Sequence, residues 1–181
     1  IGQLPKVLKD AVLAAEDARF YEHGGVDYKG ILRAALANLR DARSQGGSTI
    51  TMQVAKNFYL PTEKTYTRKI YELLLTLKIE SRLSKEQILE LYMNQIFLGQ
   101  RAFGFAAASE IYFGKPVKDL SIAESAMLAA LPVAPSAYNP IVNPKRATVR
   151  QQFILGRMLE EGFITPDQYD AARQQVLRYR A

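Results

Sequence analysis

A first candidate for acid–base chemistry is Glu16, which lies at the end of an apolar helical pattern. Asp17, Arg19, Phe20 and His23 follow closely, so polar and aromatic groups are concentrated there. A carboxylate half-sheltered at a helix end can have its pKa raised by desolvation, as a base or acid working near neutral pH requires. The same spacing fits a solvated helix end with a local Asp17–Arg19 pair, and the residues alone leave both interpretations open.

A glycine-rich segment, Gly46-Gly47-Ser48-Thr49, is a candidate anion site. At the start of a helix, free backbone N–H groups and the positive end of the helix dipole can hold a phosphate, and glycine lets the anion approach closely. The segment is not a Walker motif, since no Lys-Ser/Thr follows at the required place. The alternative is an ordinary loop and helix cap. Lys56, two turns further on, would add charge to an anion site.

A basic pair and a second glutamate form the third candidate. Arg68 and Lys69 precede Glu72 by four and three residues, so all three side chains can meet on one helix surface. Ile70 is the centre of the apolar stripe, and Glu72 projects about 200° away from it, which predicts a solvent-exposed ion pair. The alternative makes the cations a phosphate clamp and Glu72 a reactive carboxylate, because the planar fork of arginine suits phosphate oxygens.

Apolar residues recur at helical spacing along the whole chain, so we expect an all-α fold whose helices carry these candidates. Capping-box spacing marks helix starts at Ser84, Ser121 and Thr165. In the helix over 65–83, Ile70, Leu73, Leu74 and Leu77 are expected to face inward. Another predicted helix, capped by Ser48 or Thr49, runs up to Pro61. The remaining predicted helices cover about 5–18, the segment after Asp27 up to Arg43, about 101–113, and Pro144 to before Gly162, with 132–144 as an ordered irregular connection.

Composition narrows the chemistry further. The chain has 181 residues, 48% apolar and 23% charged, so we expect a single domain over 1–181. The lack of cysteine excludes thiolate nucleophiles and Cys-based zinc sites, and a single histidine leaves carboxylate chemistry as the default. A net charge of +6 favours an anionic partner. No run approaches the ~18–20 apolar residues that cross a bilayer and no signal peptide is visible, so we expect a soluble domain cut from a longer protein.

The three candidates together describe a site that handles a negatively charged leaving group. Sugar transfer from a phosphorylated donor fits, because it needs a base for the attacking hydroxyl and positive charge at the departing pyrophosphate. A donor carried by a lipid would need no nucleotide-binding sheet.

Five ordered motifs resemble the signatures of the family 51 peptidoglycan glycosyltransferases and cover nearly the whole chain. In order they are EDARFYEHGG (16–25), GGSTITMQ (46–53), RKIYE (68–72), SKEQILELYMN (84–94) and ALPVAPSAYNP (130–140). Met52 stands where the family usually has a glutamine, and we expect no loss of activity from it. The segment beyond, including Gly162 to Thr165, is similar to the end of this domain in class A penicillin-binding proteins, before their transpeptidase domain.

The resemblance implies a lysozyme-like helical fold with a catalytic cleft, which polymerises lipid II into β-1,4-linked glycan strands with inversion and releases undecaprenyl pyrophosphate. Glu16 would deprotonate the acceptor 4-hydroxyl, and Glu72 would assist departure of the pyrophosphate from across the cleft. Substrate-binding roles are implied for Asp17, Arg19, Phe20, Gly47, Ser48, Thr49, Gln53, Lys56, Asn57, Arg68 and Lys69.

The resemblance also implies a divalent cation, Mg²⁺ or Mn²⁺, with ligands that the motifs do not identify. The implied partners are lipid II, the nascent glycan chain, the bacterial membrane surface and a transpeptidase domain in the same full-length chain, without nucleic acid. The implied location is the extracytoplasmic, periplasmic face of the inner membrane. We expect part of the region 28–66 to contact that membrane, because a lipid-linked substrate must be drawn from it.

Two other functions stay open at this point. A lysozyme-like hydrolase or lytic transglycosylase would also place a helical fold and a catalytic glutamate on glycan, but it would not need a phosphate clamp. A basic helical module that only binds polyanions, such as nucleic acid, would need no catalytic carboxylate.

Overall fold

The structure, a computed structural model, describes residues 4–22, 49–59 and 66–180. Over these ranges the regular structure is helical, apart from one isolated antiparallel bridge between Phe97 and Phe103. The predicted helix after Asp27 lies outside the described residues. The helices are α1 (Lys6–Glu16), α2 (Ile50–Tyr59), α3 (Tyr66–Arg82), α4 (Lys85–Gln95), α5 (Phe105–Phe113), a 3₁₀ turn (Val117–Asp119), α6 (Ile122–Ala129), α7 (Pro144–Glu160) and α8 (Pro166–Gln174).

The chain divides into two compact units. The first consists of residues up to Ala18 together with those from Met93 onward, and the second runs from Arg19 to Tyr92. Helix α4 begins in the second unit and ends in the first. No helix within the described ranges is long and apolar enough to cross a membrane.

The first unit is built around α6, which packs against α1, α7 and α8. Every residue from Ala123 to Leu131 is buried, and a helix that is apolar on nearly all sides belongs in the centre of a core. Leu8, Ala11 and Val12 supply the inward stripe of α1, and Ile154, Leu155 and Met158 supply that of α7. These side chains recur at three- and four-residue spacing, so each outer helix buries one face.

The three predicted capping boxes are confirmed. In each, the side-chain oxygen of Ser84, Ser121 or Thr165 accepts from a backbone N–H three residues on, at 3.1 Å. The Gln87, Glu124 and Gln168 side chains accept in return from the backbone N–H of the capping residue, at 2.8 to 2.9 Å. Two orphan donors are satisfied at every start, which is why these positions begin helices.

Helix α5 begins at Phe105, later than the predicted 101, because a tight turn precedes it. Gly99, Gln100 and Arg101 all have positive φ, and Leu98 N–H donates to the Ala102 carbonyl at 2.8 Å. Helix α1 also ends at Glu16, before the predicted Ala18, with the Asp17 N–H bonded to the Leu13 carbonyl. The chain reverses direction just before α5, and the apolar pattern does not record that reversal.

The predicted inward face of α3 is wrong. Ile70, Leu73, Leu74 and Leu77 are 61%, 42%, 57% and 46% exposed, whereas Thr76 and Ile79 on the opposite side are buried. Helix α3 packs against α2 with this second side. Periodicity locates an apolar stripe on a helix, but it does not tell whether protein or another apolar phase covers the stripe.

Gly104, just before α5, is required by both conformation and space. Its φ is +83°, and a Cβ there would collide with the main-chain carbonyl of Asn94. We expect Gly104→Ala to lower the free energy of unfolding by at least about 2 kcal/mol, because left-handed φ and a backbone clash add together. Urea denaturation of the purified protein measures this.

Gly156, inside α7, is the matched control. A Cβ at this position meets nothing within 4 Å. Gly156→Ala should therefore raise the unfolding free energy by about 0.5–1 kcal/mol, as for a helix-interior glycine. Equal effects of the two substitutions would contradict the account of Gly104.

Two tyrosines of the first unit make its stability sensitive to high pH. Burial raises the pKa of Tyr112, whose hydroxyl donates to the Leu98 carbonyl at 2.7 Å, to about 12. Burial, and to a lesser extent the Glu124 charge, raises the pKa of Tyr179 to about 12 as well. Tyr179 stacks on Phe113 with ring centroids 5.3 Å apart.

The sign follows from proton linkage. Between pH 10 and 12 the unfolded chain releases phenolic protons that the folded chain retains, so deprotonation favours unfolding. This contribution is complete below pH 10 and is lost as pH rises through the folded pKa. Denaturation between pH 9 and 12 should show the loss, and Tyr112→Phe with Tyr179→Phe should reduce its slope. An unchanged slope would refute the assignment.

Candidate active site

Glu16 is the last residue of α1, and two arginines of α7 hold that end of the helix. Arg150 Nη2 donates to the Ala15 carbonyl at 3.4 Å, and Arg157 Nε donates to the Ala14 carbonyl at 3.5 Å. Positive charge is favourable at the negative end of a helix dipole, and these donors satisfy terminal carbonyls. These two long contacts link the end of α1 to α7.

The Glu16 side chain is half-buried, and its Oε1 is enclosed by protein. A partly sheltered carboxylate on a helix end is a suitable proton acceptor, because its position does not depend on a mobile loop. The next residue, Asp17, is the C-cap of α1 and is buried.

The loop that follows α1 is attached to the start of α4. The Phe20 ring is fully buried, and Lys85 Nζ lies 4.5 Å from its centroid. Tyr21 donates its hydroxyl hydrogen to Glu86 Oε1 at 2.7 Å. Arg19 Nε lies 3.3 Å from the Glu22 carboxylate. The loop is therefore held by a buried ring and by polar contacts to one helix start.

The start of α2 carries the second group of predicted residues. Thr49 is buried, and its Oγ1 accepts from the Met52 N–H at 3.1 Å, as an N-cap does. The Gln53 Oε1 accepts from the Tyr92 hydroxyl at 3.1 Å, which fixes the amide. Lys56 and Asn57 are exposed on the following turn. Gly47 and Ser48 lie outside the described residues.

Helix α3 carries the third group. Glu72 is half-buried and Lys69 is exposed, while the Arg68 side chain lies outside the described ones. Glu72 projects about 200° away from Ile70, as predicted. Because the stripe around Ile70 faces outward, Glu72 lies on the inward side of α3, with Thr76 and Ile79. The expectation of a solvent-exposed ion pair at Glu72 assumed the opposite orientation.

The predicted pair of carboxylates falls in different units of the molecule. Glu16 belongs to the first unit, and Glu72 belongs to the second together with most of the predicted binding residues. The cleft between the two glutamates stays a prediction.

A polar group that sequence reasoning missed is the Glu80 carboxylate of α3. Its Oε2 accepts from Thr51 Oγ1 at 2.5 Å and lies 3.0 Å from Lys85 Nζ. The sequence offered one indication of this contact, because both partners of Glu80 lie in motifs: Thr51 in the second and Lys85 in the fourth. Recognising the contact requires knowing that α2 and α3 pack together with the Thr76 side of α3 inward.

A metal site would need several carboxylate or imidazole ligands within reach of one another. Among the described side chains, no group of three His, Asp or Glu residues lies close enough to hold a metal ion. In phosphate chemistry Mg²⁺ is commonly held by one or two carboxylates together with substrate oxygens. The described residues provide no ready-made cage, and the divalent cation stays a prediction.

Comparison with known proteins identifies the family. Residues 1–159 match the family described as Transglycosylase. The chain therefore belongs to the transglycosylases of glycosyltransferase family 51, as the motifs predicted.

Individual relatives agree with this assignment. Penicillin-binding protein 1A of Neisseria gonorrhoeae is 62% identical over 180 residues, which are 99% of this chain and 23% of that protein. A Cupriavidus necator protein named "Putative transglycosylase" is 59% identical over 180 residues, which are 78% of its length. The chain thus spans about a quarter of the neisserial relative and most of the second one.

A solved structure also resembles this one. The crystal structure of penicillin-binding protein 1A from Haemophilus influenzae matches with a TM-score of 0.62 and 29% identity, over 99% of this chain and 17% of that one. The all-α, lysozyme-like fold expected from the sequence is confirmed over the residues that the structure describes.

Proposed function

We propose that this chain is a peptidoglycan glycosyltransferase domain, which polymerises lipid II into β-1,4-linked glycan and releases undecaprenyl pyrophosphate during bacterial cell wall synthesis. The observation that carries the proposal is Glu16, a half-buried carboxylate on the end of α1 and the first residue of the family's first motif. Membership of the transglycosylase family supports it.

In the proposed reaction Glu16 accepts the proton of the acceptor 4-hydroxyl. The acceptor oxygen then forms a bond to the anomeric carbon of the donor, while the bond from that carbon to the diphosphate oxygen breaks. The leaving diphosphate takes the bonding electrons, so the sugar is transferred with inversion. Glu72 would assist departure of the diphosphate, and two separate carboxylates are the arrangement that inverting glycosidases use.

Positive charge would stabilise the departing diphosphate. Lys69 and Lys56 are exposed on α3 and α2, and Arg68 belongs to the same motif as Lys69. Such groups accelerate transfer when they bind charge that develops in the transition state. A divalent cation held mainly by diphosphate oxygens would add to this charge, with Mg²⁺ the first choice.

The outward face of α3 is the proposed contact with the lipid surface. The region 28–66, where the sequence led us to expect this contact, lies mostly outside the described residues, and that expectation stays a prediction. Ile70, Leu73, Leu74 and Leu77 form one exposed stripe, with Tyr71 (59% exposed) on its flank. The exposed cations Lys69, Lys78 and Arg82 border it. Apolar side chains bordered by cations fit a bilayer of anionic lipids, since the chains enter the acyl boundary while the cations meet phosphates.

A pocket lies at the end of α3, on the side of the helix turned away from this stripe. Its volume is about 220 Å³, and it is lined by Leu75, Ile79 and Leu83 together with Lys78 and Arg82. The apolar side chains of this pocket could contact the hydrocarbon chain of a lipid, and the two cations could contact its phosphate. The proposed substrate would also locate the domain at the extracytoplasmic face of the inner membrane, and the neisserial relative carries the matching region within a longer chain.

Glu16→Gln is the direct test of the proposed base. The amide cannot accept the proton, so we expect glycan synthesis from lipid II to fall by a factor of about 10²–10⁴ while lipid II binding persists. Gel analysis of polymerised glycan with magnesium present measures the rate, and a parallel sample with EDTA tests the cation.

Glu160→Gln is the matched control, since Glu160 is the last residue of α7 and is exposed. Its rate should equal that of the parent. If Glu16→Gln polymerises at the parent rate, Glu16 is not the base. If the parent shortens preformed strands and makes no polymer, the protein is a hydrolase or lytic enzyme.

Vesicle binding tests the α3 face. We expect Leu73→Glu with Leu77→Glu to weaken sedimentation with phosphatidylglycerol–phosphatidylethanolamine vesicles at least tenfold, because two charges replace the apolar side chains that would enter the acyl boundary. Val142→Glu with Val149→Glu, at exposed valines of the first unit, should change binding less than twofold. Similar losses from both pairs would exclude α3 as the specific contact.

A further inference from the structure

The Glu80 carboxylate is a charged group in a largely buried place. Its side chain is 11% exposed and that of its partner Lys85 is 20% exposed. A single oxygen, Oε2, receives both the Thr51 hydroxyl hydrogen and the Lys85 ammonium. Hydrogen bonds to an ionised carboxylate are shorter and stronger than neutral ones.

The two partners of Glu80 belong to different parts of the second unit. Thr51 is fully buried in the first turn of α2, between the capping residue Thr49 and Gln53. Lys85 is the first residue of α4, and its ammonium lies over the Phe20 ring in the loop that follows α1. Glu80 therefore connects the start of α2 with the loop that follows Glu16 in the chain.

Stability alone does not account for this arrangement. Removing two charges from water is unfavourable, and well-packed apolar residues of similar size often stabilise a protein as much as a buried ion pair does. The charged group also constrains where its partners lie, because the Thr51 hydroxyl and the Lys85 ammonium must both reach the same oxygen.

We propose that Glu80 is a positioning residue for sugar transfer, an inference that rests on the proposed function. Its contact with Thr51 holds the first turn of α2 in position, and its contact with Lys85 holds the loop that follows α1, which contains Phe20. Both segments carry predicted substrate-binding residues, so a small shift in either would misplace the reacting groups without removing any of them.

Glu80→Gln tests this with minimal change in shape. The amide oxygen can still accept from Thr51, but the ionic contact to Lys85 is lost. Misplacement by about 1 Å can lower a rate on the order of 100-fold. We expect kcat for lipid II polymerisation to fall about 10- to 100-fold per folded molecule, with KM changed less than twofold.

The matched control is Glu124→Gln. Glu124 is 6% exposed and lies 2.9 Å from Lys115 Nζ, but it belongs to the first unit and caps α6. Glutamine also serves in a capping box, so this variant should fold and keep the parent kcat. If both variants lose the same activity per folded molecule, the role of Glu80 is structural only and the proposal is wrong.

A second measurement separates this proposal from the proposed function. In ¹H–¹⁵N spectra of the protein, Glu80→Gln should shift the amides of residues 19–21 and 49–53, and Thr51→Val should shift the second group. If the parent makes no polymer, the proposed function fails, and the positioning of the two segments is decided by these shifts alone. Unchanged amides in both segments would overturn the proposal whatever the activity.

Discussion

The placement of the carboxyl end of α1 is the constraint on which the proposed chemistry depends. Glu16 can act as a base only if its carboxylate stays partly sheltered at a constant place, and a helix end frays unless its last carbonyls have partners. Arg150 and Arg157 provide those partners from α7, and the apolar face of α1 is buried against α6 and α7. The central core thus serves the site by holding the helix that ends at Glu16.

Local signals in the sequence predicted a large part of this structure. The capping boxes at Ser84, Ser121 and Thr165 gave helix starts correctly, because each box is complete within four residues of chain. The start of α5 was missed by a few residues, since the turn at Gly99 to Arg101 depends on positive φ values that helical periodicity does not report. The candidate glutamates were found by motif, whereas their surroundings required the fold.

Helix α3 shows what periodicity leaves undetermined. The stripe at Ile70, Leu73, Leu74 and Leu77 was recognised, but its orientation was reversed, and Glu72, predicted to be solvent-exposed, is half-buried. The contact from Glu80 to Thr51 was invisible for the same reason, because it forms only when the other side of α3 meets α2. Long-range pairing of this kind depends on which faces meet, and a single sequence records only which faces exist.

The outward stripe of α3 also affects how the protein behaves away from lipid. A row of exposed leucine, isoleucine and tyrosine side chains is a self-association hazard in plain buffer, since two such rows can bury each other. Detergent micelles would cover the row and keep the molecules apart. The solubility of this enzyme would accordingly depend on the amphiphile supplied during purification.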